Sequence, residues 1–244
     1  GPNVTNLRLG DEVFGTANAT WAEYAAGTER SLLLKPARLS FVEAGAIGVA
    51  ALTALQGLRD HGRVQPGQHV LIYGAGGGVG TFAVQIAKAL GARVTAVTNS
   101  RNMDLVRPLG ADELLDSTTE DAAKDERRYD VILDVAATRS LRALRGMLAP
   151  GGTLVCVGAA KRGGWPGILA RVVSTMFRAR VLHQRVVFYV ASIRRDDLAY
   201  LKDLIEAGSL RPVIDRTYPL DEGREAVRYA MSGQGRAKVV ITVR

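Results

Sequence analysis

Between Gln68 and Gly91 the chain reads QHVLIYGAGGGVGTFAVQIAKALG, and this stretch constrains the fold most tightly. An apolar run, Val70-Leu71-Ile72-Tyr73, meets five glycines within seven positions. A helical pattern (Phe82, Val84, Ile86, Ala87, Leu90) opens immediately after them. That order predicts a strand, a tight turn and a helix N-terminus, where backbone N–H groups and the positive end of the helix dipole attract a phosphate. Gly74, Gly77 and Gly80 form GxxGxxG, a spaced variant of the usual GxGxxG. Without Cβ atoms the turn can be sharp, a pyrophosphate can approach the backbone, and the helix can pack closely on the strand. Taken alone, the motif also fits a ligand-free strand-to-helix turn, so its surroundings decide.

Those surroundings repeat the pattern. A second strand is predicted at Arg93 to Val97, completing a βαβ unit. Further apolar runs follow at Tyr129 to Val135 and Gly152 to Gly158, each after a helical segment. They are continuous and rich in Val, Ile and Leu, as parallel strands buried on both faces are. Such crossovers are right-handed, so a ligand is expected at the strands' C-terminal ends. The expected fold class is α/β, a doubly wound parallel sheet of Rossmann type.

Composition narrows the class. The 244 residues are 47% hydrophobic and 23% charged, which describes a globular chain with a sizeable core. The opening GPNVTNLRLG lacks both the basic and the apolar region of a signal peptide. No eighteen-residue apolar window free of charge predicts a membrane span. The single cysteine, Cys156, falls inside a predicted strand and reads as a small core residue, so a reducing, cytoplasmic setting is the default expectation. The net charge of +8 raises the question of nucleic acid, but the arginines are spread along the chain and no specific nucleic acid is expected. The exception is Lys161 to Arg195, which carries eight Lys or Arg residues and no acid. It reads as a solvated helix face, with an acidic membrane surface or partner as the alternative.

Elsewhere, Asn3 to Leu34 shows short apolar alternation broken by glycines and predicts a small β-rich element. Phe41 to Leu58 predicts a helix, with Ser40 as N-cap and Glu43 at capping-box spacing. Val186 to Ala191 predicts a strand, Asp196 to Ala207 a helix stopped by Gly208, Leu210 to Leu220 an extended connection, Asp221 to Met231 a helix, and Ala237 to Val243 a closing strand.

The end of the second core strand bears on the cofactor. NAD-preferring sites place Asp or Glu there for the ribose 2′-hydroxyl. This chain instead has Thr98-Asn99-Ser100-Arg101. Hydroxyls and a guanidinium suit a 2′-phosphate that a carboxylate would repel, so NADPH is the expected cofactor, held by Asn99, Ser100 and Arg101.

With these pieces in order, the sequence resembles the medium-chain dehydrogenase/reductase superfamily, in its zinc-independent, zeta-crystallin-like quinone oxidoreductase branch. The markers are Gly10 to Phe14 (GDEVF), Ala50 to Gly57 (AALTALQG), Gly74 to Gly80 (GAGGGVG), Leu109 to Asp112 (LGAD), Leu148 to Thr153 (LAPGGT) and Gly235 to Ile241 (GRAKVVI), in family order. The resemblance implies a groES-like catalytic domain from residues 1–48, a nucleotide-binding domain over 49–192, and a return to the catalytic domain over 193–244. It also implies that an opening segment of the catalytic domain is absent.

By the same resemblance the activity is NADPH-dependent reduction of a quinone or activated enone. Gly76, Gly77, Gly78 and Val79 would face the pyrophosphate, Val135 the adenosine side and Gly158 the nicotinamide side. Thr53 matches a threonine near the nicotinamide, where its hydroxyl helps orient the ring; a helix threonine bonded to a preceding carbonyl is the alternative. Ser117 stands where the family often has a tyrosine against the 2′-phosphate. The position of a zinc ligand in related dehydrogenases matches Val49, and His61, His69 and His183 are scattered, so no metal is expected. A homodimer through Val186 to Ala191 is expected.

Two rivals stay open. A methyltransferase shares the glycine turn and the Leu148 to Gly152 segment but wants an acid in the first strand, where Leu71, Ile72 and Tyr73 stand. A nucleotide-binding protein without turnover would use its basic segment on nucleic acid or a membrane surface.

Overall fold

In the computed structural model, residues 4–122, 127–157 and 184–243 are described. Gly158, His183 and most of the basic segment, residues 161–183, lie outside them.

Six parallel strands form the central sheet in the order β5-β4-β3-β6-β7-β8. They are β3 (His69–Tyr73), β4 (Arg93–Thr98), β5 (Glu113–Asp116), β6 (Tyr129–Asp134), β7 (Leu148–Val157) and β8 (Arg185–Tyr189). The sheet starts at β3, runs outward to β5, then reverses to β6. That reversal is the switch point where α/β folds bind ligands. The order bears out the doubly wound α/β expectation.

Both faces of the sheet are covered, which is why its strands read as unbroken apolar runs. On one side Val70, Ile72, Val94 and Leu133 pack with helices α1 (Phe41–Leu55) and α2 (Gly80–Ala89). Phe82 and Ile86 of α2 are fully buried there, each contributing about 1.5–3 kcal/mol of burial. On the other, Leu71, Tyr73, Ile132 and Leu154 pack with Leu141 and Leu144 of α4 (Leu141–Gly146). Helix α3 (Met103–Val106) follows β4.

Ser40 caps α1 through the expected box. Its N–H donates to Glu43 Oε2 at 2.9 Å, and the Glu43 N–H donates to Ser40 Oγ at 3.3 Å. The helix kinks at Gly48, and from Gln56 to His61 it widens to a π-helix. Against the expectation from sequence, Phe41–His61 is long and apolar enough to cross a membrane. It lies largely buried here, as a core helix packed under α2 and the sheet.

Outside the sheet, β1 (Val13–Gly15) pairs antiparallel with β2 (Leu32–Leu34). Helix α5 (Arg195–Glu206) ends at Gly208, whose φ of +74° reverses the chain. The predicted extended connection contains a strand, β9 (Ile214–Pro219), which pairs parallel with β10 (Lys238–Thr242) around helix α6 (Gly223–Met231). The prolines concealed it. Pro219 ends the strand and Pro212 precedes it, so neither interrupts its ladder. The expected strand at Val186 to Ala191 is β8, an edge of the six-stranded sheet.

Candidate functional site: a cavity at the switch point

A cavity of about 720 Å³ opens at the C-terminal ends of β3, β4 and β6. Its floor is the glycine turn, Gly74 and Gly76 to Val79, running into α2. One wall holds Thr98, Asn99, Asn102 and Ser117 from the ends of β4 and β5; another holds Val135 and Ala136 after β6. Ala50 of α1 and Lys238 of β10 close the rest.

The turn is glycine for steric reasons that can be named. A Cβ on Gly80 would lie 2.1 Å from the Gly74 carbonyl oxygen, so the helix starts hard against the strand's end. A Cβ on Gly76 would lie 2.5 Å from both Asn102 Nδ2 and Thr98 Oγ1. The turn is therefore flush with two polar side chains of the neighbouring strand end.

Across the cavity, Ala237 donates its N–H to the Gly76 carbonyl at 2.9 Å, and Gly77 pairs with Ala237 in a parallel bridge. This brings Lys238 to the glycine turn. Burial alone pushes its ammonium below the usual lysine range. The structure thus places a cation beside the glycine turn. The sequence signal was GRAKVVI, read as a family marker with no role for its lysine.

Arg139 borders the adjoining rim. Its Nε donates to Tyr73 Oη at 2.8 Å, and its Nη1 pairs with Asp121 at 2.7 Å. The buried Asp134 accepts from the Ala137 N–H at 3.0 Å and so fixes the turn that carries Val135 and Ala136.

Of the predicted residues, Gly76, Gly77, Gly78, Val79, Asn99, Ser117 and Val135 line this cavity together. Ser100 and Arg101 turn elsewhere. Ser100 Oγ donates to Asp116 Oδ2 at 2.5 Å and meets Thr118 Oγ1 at 2.6 Å. The hydrogen bonds from Ser100 and then Thr118 hold the Asp116 carboxyl below the usual range. Arg101 donates to the carbonyls of Gly233 and Gln234. Thr53 is buried in α1 and donates to the Val49 carbonyl at 2.7 Å, while its own carbonyl accepts from Tyr189 Oη. Burial is the main cause that pushes the Tyr189 phenol up. Four further polar cavity groups, Asn102, Thr138, Arg139 and Lys238, escaped the reading of the sequence.

These residues fit a dinucleotide. The turn and helix start suit its pyrophosphate, Lys238 adds the opposite charge, and the buried Asn102 presents an oxygen with no partner.

The profile of the zinc-binding dehydrogenase family matches residues 109–241. The chain belongs to that family. Family relatives extend over the whole chain. It is 30% identical to the chloroplastic quinone-oxidoreductase QR1 of Triphysaria versicolor, covering 99% of this chain and 75% of the relative. It is 34% identical to the mitochondrial NAD(P)H oxidoreductase RTN4IP1 of Mus musculus, covering 100% and 67%. Among solved structures, the quinone oxidoreductase of Coxiella burnetii superposes with a TM-score of 0.86 at 29% identity, over 100% of this chain and 75% of that one. The chain is thus an oxidoreductase of this family, with a nicotinamide cofactor. Among the described residues, no three His, Cys, Asp or Glu side chains converge as a metal site. Val49, at the position matched to a zinc ligand, is 61% exposed and offers no donor.

Proposed function

We propose that this chain is an NADPH-dependent, zinc-independent reductase of a quinone or an activated enone. The observation that carries the proposal is the glycine cavity at the switch point, closed by Lys238. Relatives named as quinone and NAD(P)H oxidoreductases support the substrate and cofactor classes.

The cofactor supplies a hydride for an electron-poor carbon of the acceptor. The protein binds and orients. Amides at the start of α2 and the Lys238 ammonium hold the pyrophosphate. The ends of β4 and β5 meet the adenosine ribose with neutral groups and no carboxylate in the lining, which favours a 2′-phosphate. Val135 and Ala136 give an apolar wall. Thr53 keeps lone pairs on a hydroxyl already anchored to Val49, so it offers an acceptor in a fixed direction.

A second copy of the chain is proposed to add to β8, where Phe188 and Val190 are exposed beside the sheet edge. The deciding experiment is a titration with NADPH and NADH by nicotinamide fluorescence, followed by a quinone turnover assay. Tight NADPH binding and quinone reduction are expected. No binding of either dinucleotide would overturn the proposal.

A further inference from the structure

We propose that Asn102 reads the 2′ end of the adenosine ribose and sets the balance between NADPH and NADH. This rests on the dinucleotide reading above and assigns its specificity to a residue outside the expected set.

Three observations converge on Asn102. Its side chain lines the cavity yet the residue is only 7% exposed, and Oδ1 is buried without a hydrogen-bond partner. Buried polar atoms are almost always paired, so an orphan oxygen on a residue that lines the cavity is available to a ligand donor. Second, Asn102 follows the end of β4, where doubly wound folds hold the ribose, and its amide lies against the Gly76 turn beside Thr98 Oγ1. Third, the obvious competitors are engaged. Ser100 Oγ is bonded to the Asp116 carboxylate, and the Arg101 guanidinium is bonded to the Gly233 and Gln234 carbonyls.

A carboxamide suits this task differently from an acid or a base. It carries an acceptor and two donors, and a half-turn of the amide exchanges them. A 2′-hydroxyl takes the oxygen, and a 2′-phosphate takes the NH₂ group. The side chain neither repels the phosphate as a carboxylate would nor adds a full charge to hold it.

The test is a titration of the whole chain and of Asn102→Asp, Asn102→Ala and Arg101→Ala with each dinucleotide, followed by nicotinamide fluorescence. Circular dichroism and thermal melts report folding. Asn102→Asp is expected to weaken NADPH relative to NADH by about tenfold, because the new carboxylate repels the phosphate and accepts from the hydroxyl. Should the aspartate variant fail to fold, Asn102→Ala still decides. Its NADPH preference is expected to fall by roughly threefold, since a donor to a charged phosphate is worth more than a partner of a hydroxyl. Arg101→Ala is expected to leave the ratio unchanged. A folded Asn102 variant with the original ratio would overturn the inference, as would a ratio that moves only in Arg101→Ala. Absence of binding to the unaltered chain would instead defeat the dinucleotide reading, and this inference with it.

Discussion

Ala237 donates its amide to the carbonyl of Gly76, and this bond, with the Gly77–Ala237 bridge, joins the start of the last strand to the glycine turn. The neighbouring side chain, Lys238, is brought to the cavity by that contact. The proposed anion site is therefore built from two distant segments, each fixing the other.

Removing the Lys238 charge should weaken both dinucleotides alike. In Lys238→Met the loss is expected at about 1.5–3 kcal/mol, roughly ten- to hundredfold in Kd, as for a charge-assisted hydrogen bond. The pH dependence has a sign. Burial lowers the lysine pKa in the free protein, so the ammonium is lost at a lower pH than usual. Anion binding needs the charged form, so affinity should fall as pH rises toward the ordinary lysine range. Titrations at stepped pH check this; an equal slope in Lys238→Met would exclude Lys238 as its source.

Gly80→Ala tests the turn itself. The added methyl would meet the Gly74 carbonyl at 2.1 Å, a backbone atom that cannot rotate away. Overpacking of this kind costs about 1–3 kcal/mol or more, and the turn must open to relieve it. A lower urea midpoint together with loss of dinucleotide binding is expected. Stability unchanged from the parent chain would show that the helix start can shift freely.

Acid sensitivity should appear before the carboxylates titrate. Burial, then Arg93 and Arg127, push the His69 imidazole below 6.5, and burial does the same for His61. His69 sits against the Tyr129 ring and shares a 2.8 Å hydrogen bond with Thr95 Oγ1. With folded values below the unfolded one, both contributions are complete above about pH 6.5 and are lost as pH falls through the folded values. Denaturation midpoints between pH 7 and 5 should therefore decline, less steeply in His69→Gln. A flat profile across that interval would refute the assignment.

The fold was legible where burial on both faces forced continuous apolar strands, as in Val70 to Tyr73 and Tyr129 to Val135. It was obscured where strands are short or half-exposed: the four residues of β5 carry two acids, and β9 lies between prolines. The site was legible as far as backbone chemistry reaches, because glycines announce close approach. Side-chain partners reached through tertiary contact were not. Nothing local to Arg101 indicates that Gly233 and Gln234 will engage it, nor does the sequence around Lys238 reveal the turn beside it.

A last prediction concerns what holds α1 in place behind the site. Asp197 of α5 is 3% exposed and gathers three partners. Arg59 Nη2 lies 2.5 Å from its Oδ1; Arg194 Nε at 2.8 Å and Gln56 Nε2 at 2.7 Å meet Oδ2. Gln56 and Arg59 belong to the π-helical extension of the helix that carries Thr53. Asp197→Ala would leave two arginines facing each other without this carboxylate. Asp60, which bonds both, keeps part of the compensation. Breaking a buried ion pair costs about 3–5 kcal/mol, and the lower end applies because both guanidinium groups are partly solvated. Asp197→Asn keeps an acceptor for one arginine and should lose less. Urea unfolding of the two variants measures the difference, and equal midpoints would show that the charge of Asp197 contributes nothing. The alanine variant should also lose the proposed quinone turnover before it loses dinucleotide binding, since it loosens the helix of Thr53 and leaves the glycine turn intact.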